Sequence, residues 1–113
     1  MAIVAWVCIW HQMQVKPAGL EFASAPALPA PRTVWLMLPA GAATDATLAA
    51  LRPLLARGDL VVDGANAYYR DSLKHAQLLA ESGIEFVDAG VSGGIWGLEN
   101  GYALMVGGSA AAI

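Results

Sequence analysis

Three short stretches carry the residue types from which a small-molecule site can be assembled: Leu38-Pro39-Ala40-Gly41, Asp63-Gly64-Ala65-Asn66 and Gly90-Val91-Ser92-Gly93-Gly94. Their side chains are mostly small, so a ligand can come close to main-chain donors. Asn66 and Ser92 add neutral groups able to hydrogen-bond that ligand. This is the chemistry of binding and orientation, and the spacing alone does not name the ligand. The other polar candidates read as structural. His75 falls in the middle of a helical pattern beside Lys74 and reads as solvated. Glu99 reads as a solvated turn residue, and Trp96 as a packing residue. Asp63 and Asp88, at strand ends, read as acceptors for turn backbones rather than as acid–base groups. Cys8 is the only cysteine, which leaves no intrachain disulfide and no cysteine-based metal cluster, and no metal site is expected.

The elements that would position these stretches are legible around them. Val34–Leu38 is a continuous apolar run with the look of a strand covered on both faces. Thr44-Asp45 then suggests a helix start, with Leu48, Leu51 and Leu55 on one face, Pro53 as a break and Gly58 as a stop. Leu60–Asp63 reads as a second strand. Asp71 is placed to cap a second helix, whose apolar side is expected to carry Leu73, Ala76, Leu79 and Ala80, with Gly83 as its end. Ile84–Ala89 is a third strand and Tyr102–Val106 a fourth. Strand, helix, strand, helix, strand with short links predicts an α/β fold built on a parallel sheet, with right-handed crossovers laying the helices against it. In such a sheet every segment after a strand emerges along one carboxyl edge, where open α/β sheets bind ligands. The three small-residue stretches occupy those places.

Composition narrows the setting. The chain has 113 residues, 58% hydrophobic and 13% charged, which suits one small domain with a packed core. The net charge is −3 and no basic run is present, which argues against nucleic acid or an anionic membrane as partner. The apolar opening Met1–Trp10 covers about half of what a membrane-spanning helix needs, and it lacks the positive lead of a secretory signal. It reads as a first strand, and a cytoplasmic location is expected. Residues 11–31 hold four of the six prolines and read as irregular. The segment 1–31 is set apart from the regular domain expected over 32–113.

The stretches "PRTVWLMLPAG", "GDLVVDGANAYYRD" and "VDAGVSGGIWGLENGYALMVGG", in that order, closely resemble the decarboxylating 6-phosphogluconate dehydrogenases. Trp96-Gly97 is most similar to the short bacterial-type branch. The resemblance runs from about Pro29 to Gly108. It implies a partial Rossmann-like parallel sheet, the second half of a dinucleotide-binding domain. It also implies NADP or NAD as cofactor and 6-phosphogluconate as substrate, oxidised at C3 and decarboxylated to ribulose 5-phosphate in the pentose phosphate pathway. By resemblance Leu38, Pro39, Ala40 and Asn66 meet the cofactor, and Asn66, Ser92, Gly93 and Gly94 hold the sugar acid. Family members form homo-oligomers. The family's catalytic lysine and glutamate lie beyond the SGG region, and neither Lys16 nor Lys74 has a matching context, so no catalytic residue is assigned.

This chain departs from the pattern in several places. Ala65 replaces the second glycine of DGGN and Ala67 a hydroxyl residue; a positive φ at Ala65 would cost on the order of 1 kcal/mol. No G-x-G-x-x-G precedes Arg32. A truncated reading frame without dehydrogenase activity of its own is therefore expected. A fragment of the related β-hydroxyacid dehydrogenases stands as an alternative, disfavoured by "DGANAYYRD". A non-catalytic binding or interaction module is the other.

Overall fold

Side chains alternate sides along each central strand, and this decides which face of the sheet receives helices. The computed structural model describes residues 3–5 and 29–113. Strands β1 (Ile3–Ala5), β2 (Thr33–Leu36), β3 (Leu60–Asp63) and β4 (Glu85–Ser92) run parallel, and β5 (Ala103–Gly108) returns antiparallel along β4. Their order across the sheet is sequential, β1-β2-β3-β4-β5. Helices α1 (Ala42–Leu51) and α2 (Tyr69–Ala80) fill the two central crossovers. Both crossovers step the same way, so right-handedness sets both helices on one face. The register aligns Val34, Val61 and Phe86 on that face, and Trp35, Val62 and Val87 on the other. Leu48 and Leu51 of α1 and Leu79 of α2 close the first core, each at most 1% exposed. Removing each from water contributes roughly 1.5–3 kcal/mol.

At the sheet's amino edge a single buried carboxylate joins three segments. Asp59 Oδ1 accepts from the Arg32 amide at 2.8 Å, and Oδ2 accepts from the Ala56 amide at 2.8 Å and Arg32 Nη1 at 3.4 Å. Arg32 Nη1 also donates to the Leu54 carbonyl at 2.8 Å. Asp59 is fully buried. It pins the entries of β2 and β3 side by side, and sequence reading passed over it.

Several expectations need correction. The strand expected over Tyr102–Val106 does not continue the parallel set: β5 turns back through a 3-10 turn (Gly94–Trp96) and a short helix α3 (Gly97–Asn100) to form a hairpin with β4. Ile3–Ala5 pairs with β2, as the apolar opening suggested. Cys8 and Lys16, with the irregular reading of 11–28, lie outside the described residues. Helix α1 begins before Thr44-Asp45, with Gly41 (φ 92°) at its cap, and the Thr44 hydroxyl donates back to the Pro39 carbonyl at 3.0 Å. Pro53 does end α1 at Leu51 and sits in a 3-10 turn, Arg52–Leu54. Gly58 serves the turn into β3 instead of stopping the helix, its amide bonding the Gly83 carbonyl. On α2, Asp71 lies in the first turn and makes no cap, and the buried face is Ser72, His75 and Leu79. Leu73 is 57% exposed. The helix is turned so that His75 can meet partners on α1 and β4.

Candidate functional site at the carboxyl edge

Parallel pairing of β2, β3 and β4 brings the three small-residue stretches to one edge. After β2, Met37–Gly41 leads into α1; Leu38 is half-buried while Pro39 and Ala40 are exposed. After β3, the Gly64 amide bonds the Leu36 carbonyl at 2.8 Å, which ties this turn to the end of β2. A side chain at Gly64 would collide with Met37 Sδ and come within 2.9 Å of Trp35 Nε1 and 3.1 Å of the Leu36 carbonyl. Glycine is required there for close approach. The third stretch is strand for longer than expected: Gly90, Val91 and Ser92 belong to β4, and only Gly93 and Gly94 leave it. Ser92, Gly93 and Gly94 are exposed.

Asn66 sits between the flanking stretches and bonds one of them directly. Its Oδ1 accepts from the Val91 amide at 2.8 Å, and its Nδ2 donates to the Val91 carbonyl at 3.1 Å. No hydrogen bond joins Leu38–Ala40 to Ser92–Gly94, and the β3 turn stands between them. Asn66 takes φ 53°, whereas Ala65 keeps negative φ. The cost that a positive φ at Ala65 would carry is therefore not incurred, and the left-handed position is filled by a residue type that tolerates it.

Beneath the turn lies a layer of polar side chains. Asp63 is fully buried, and its Oδ1 accepts from the Ala65 amide at 3.0 Å. Asp63 Oδ2, Ser72 Oγ and His75 Nδ1 are buried without hydrogen-bond partners. His75, expected to be solvated, is 9% exposed; its Nε2 lies 2.7 Å from Asp45 Oδ1 and its ring meets Phe86 edge-on. Burial pushes the Asp63 carboxyl above its ordinary 3.8, the Ala65 amide and His75 oppose that, and Asp88, its register partner, adds to it. The folded chain therefore takes up this proton before the unfolded chain does. The group's favourable contribution is complete below 3.8 and is lost as pH rises through the elevated folded value. Asp63→Asn keeps an acceptor for Ala65 and removes the buried charge. Its urea midpoint is expected above the parent's at pH 7, with the gap closing as pH falls towards 3.8; equal midpoints at both pH values would contradict this.

An open cleft of about 410 Å³ borders the edge, lined by Asn66, Ala67, Asp88, Gly90 and Met105 among others. Asn66 is the one expected site residue in it. Asp88 faces this cleft, while the turn-bonding role expected of both strand-end aspartates falls to Asp63. Gly90 belongs to the third expected stretch, whereas Met105 was not foreseen as a lining residue, because its pairing with Gly90 depends on the reversed direction of β5. The glycines of the hairpin loop serve its own folding. Gly94 adopts φ 48°, and a side chain at Gly97 would run into the Tyr102 ring. Trp96 is 65% exposed and Glu99 is exposed, so Trp96 does not pack as expected. Among the described residues, no cluster of His, Cys, Asp and Glu is suited to a metal ion, and no helix is long and apolar enough to cross a membrane.

The family model described as the NAD binding domain of 6-phosphogluconate dehydrogenase matches residues 11–113. The decarboxylating 6-phosphogluconate dehydrogenase of Treponema pallidum (strain Nichols) is 48% identical over 82 residues, 73% of this chain and 17% of that protein. The NADP(+)-dependent, decarboxylating enzyme of Bacillus subtilis (strain 168) is 48% identical over 81 residues, 72% of this chain and 17% of that protein. Among solved structures, Plasmodium falciparum 6-phosphogluconate dehydrogenase, studied with its cofactor NADP+ and its substrate 6-phosphogluconate, superposes with a TM-score of 0.70 at 36% identity. It covers 75% of this chain and 18% of that one. Mycobacterium tuberculosis 3-hydroxyisobutyrate dehydrogenase superposes at 0.66 with 27% identity, over 71% of this chain and 28% of that one. This chain spans about a sixth of the length of the curated relatives it matches.

Proposed function

Because the chain belongs to the 6-phosphogluconate dehydrogenase family, as part of its NAD-binding domain, we propose that its carboxyl edge holds a nicotinamide cofactor beside 6-phosphogluconate. The observation that carries this reading is the convergence of the three small-residue stretches on one edge, with Asn66 bonded to the strand that ends in Ser92. The donor set fits both molecules. Pro39 and Ala40 are exposed and offer a small-residue surface to the cofactor, and the Ser92 hydroxyl and Gly93-Gly94 main chain suit the hydroxyls of a sugar acid. Leu38, Pro39, Ala40 and Asn66 would hold the nicotinamide cofactor, which would supply the hydride-accepting chemistry. This chain's residues bind and orient; proton transfer belongs to the family's lysine and glutamate, for which Lys16 and Lys74 are no match. The second reading, a 3-hydroxyisobutyrate dehydrogenase-type site, draws on the superposition at 27% identity, and the higher identities to the phosphogluconate enzymes favour the first.

NMR titration of the full chain tests the proposal. NADP+ is expected to shift the Leu38 and Ala40 amides, and 6-phosphogluconate those of Asn66, Ser92, Gly93 and Gly94. Ser92→Ala is expected to weaken 6-phosphogluconate binding about tenfold, the loss of one well-made hydrogen bond. Shifts confined to other faces, or unchanged affinity in the variant, would count against the assignment.

A further inference from the structure

We infer that Asn66 is a positioning residue: its carboxamide acts as a substitute peptide unit that extends the β3–β4 ladder beyond the point where the β3 backbone turns away. The inference rests on the proposed site and adds a role within it. The regular register ends at Asp63 opposite Asp88. Three residues further along each chain, the Asn66 side chain supplies one acceptor and one donor to the amide and carbonyl of Val91, as a neighbouring strand would. The left-handed φ of 53° at Asn66 turns the β3 backbone there while the side chain keeps the pairing. The residue after Val91 is Ser92, and Gly93 and Gly94 then take φ of 144° and 48°. A loop of that freedom leaves the strand in a fixed direction only if the residue before Ser92 is held.

Half of the hydrogen-bonding capacity of the Asn66 carboxamide is thereby committed to protein. What remains for a ligand is its second N–H and the free lone pair on Oδ1. A carboxylate at this position can accept from the Val91 amide but has no proton for the Val91 carbonyl, whereas a carboxylic acid can do both. Asp88 borders the same cleft, and its charge favours the protonated form of an acid at position 66.

Amide hydrogen exchange on the full chain tests the inference without any ligand. Val91 protection is read relative to Val61 and Phe86 in the same sample, so that any change in overall stability cancels. In Asn66→Gly, which keeps the left-handed backbone, relative protection of Val91 is expected to fall about tenfold at every pH. In Asn66→Asp it is expected to fall similarly at pH 7 and to return at pH 3, below the ordinary carboxyl value of about 3.9. Unchanged Val91 protection in Asn66→Gly, or no recovery in Asn66→Asp at low pH, would overturn the role. A chain that bound no 6-phosphogluconate would sink the proposed function and leave this result standing.

Discussion

Replacing Asp59 with alanine is expected to cost the chain about 3–5 kcal/mol, enough to leave a domain of ordinary stability largely unfolded. The carboxylate is fully buried and satisfies two backbone amides, those of Arg32 and Ala56, at 2.8 Å each. Alanine leaves both donors without their acceptor and removes an ion-pair contact of the Arg32 guanidinium. Asp59→Asn is expected to fall between the two, since an amide presents one acceptor but points a donor at the other N–H. Asp59 lies at the amino edge, away from the proposed site, so the loss should show in urea denaturation followed by circular dichroism. A midpoint within error of the parent's would mean that the hub contributes nothing.

Leu79→Ala is expected to cost about 2–5 kcal/mol, whereas Leu73→Ala, six residues earlier on the same helix, should stay within about 0.5 kcal/mol. Both leucines were expected on the apolar face of α2. Leu79 is fully buried against the core formed with Val61 and Phe86, while Leu73 is 57% exposed. The contrast tests the orientation of the helix as much as the size of the cavity. Equal losses would mean that α2 is turned towards the face first expected.

The places where expectation and structure parted share a cause. The extent of β3 and the presence of α2 were legible because an apolar run and helical spacing act over a few neighbouring residues, although α2 begins two residues before Asp71. The face of α2 was misjudged because His75, polar and mid-helix, is buried with its ring against Phe86 and its Nε2 beside Asp45, thirty positions away. Asp59 escaped notice because its partner Arg32 lies 27 positions off. The direction of β5 was misjudged because nothing in an apolar run says which way its neighbour points.

The sequence by itself determined the strands and helices of the central sheet, the edge on which its small-residue turns collect, and the family to which the chain belongs. Tertiary structure alone decided that β5 reverses, that Asp63 and His75 are buried, and that Asn66 holds Val91 across 25 positions. The physical reason is range. Periodicity and turn chemistry are written in adjacent residues, but a hydrogen-bond partner or a register is chosen only when distant segments are already side by side.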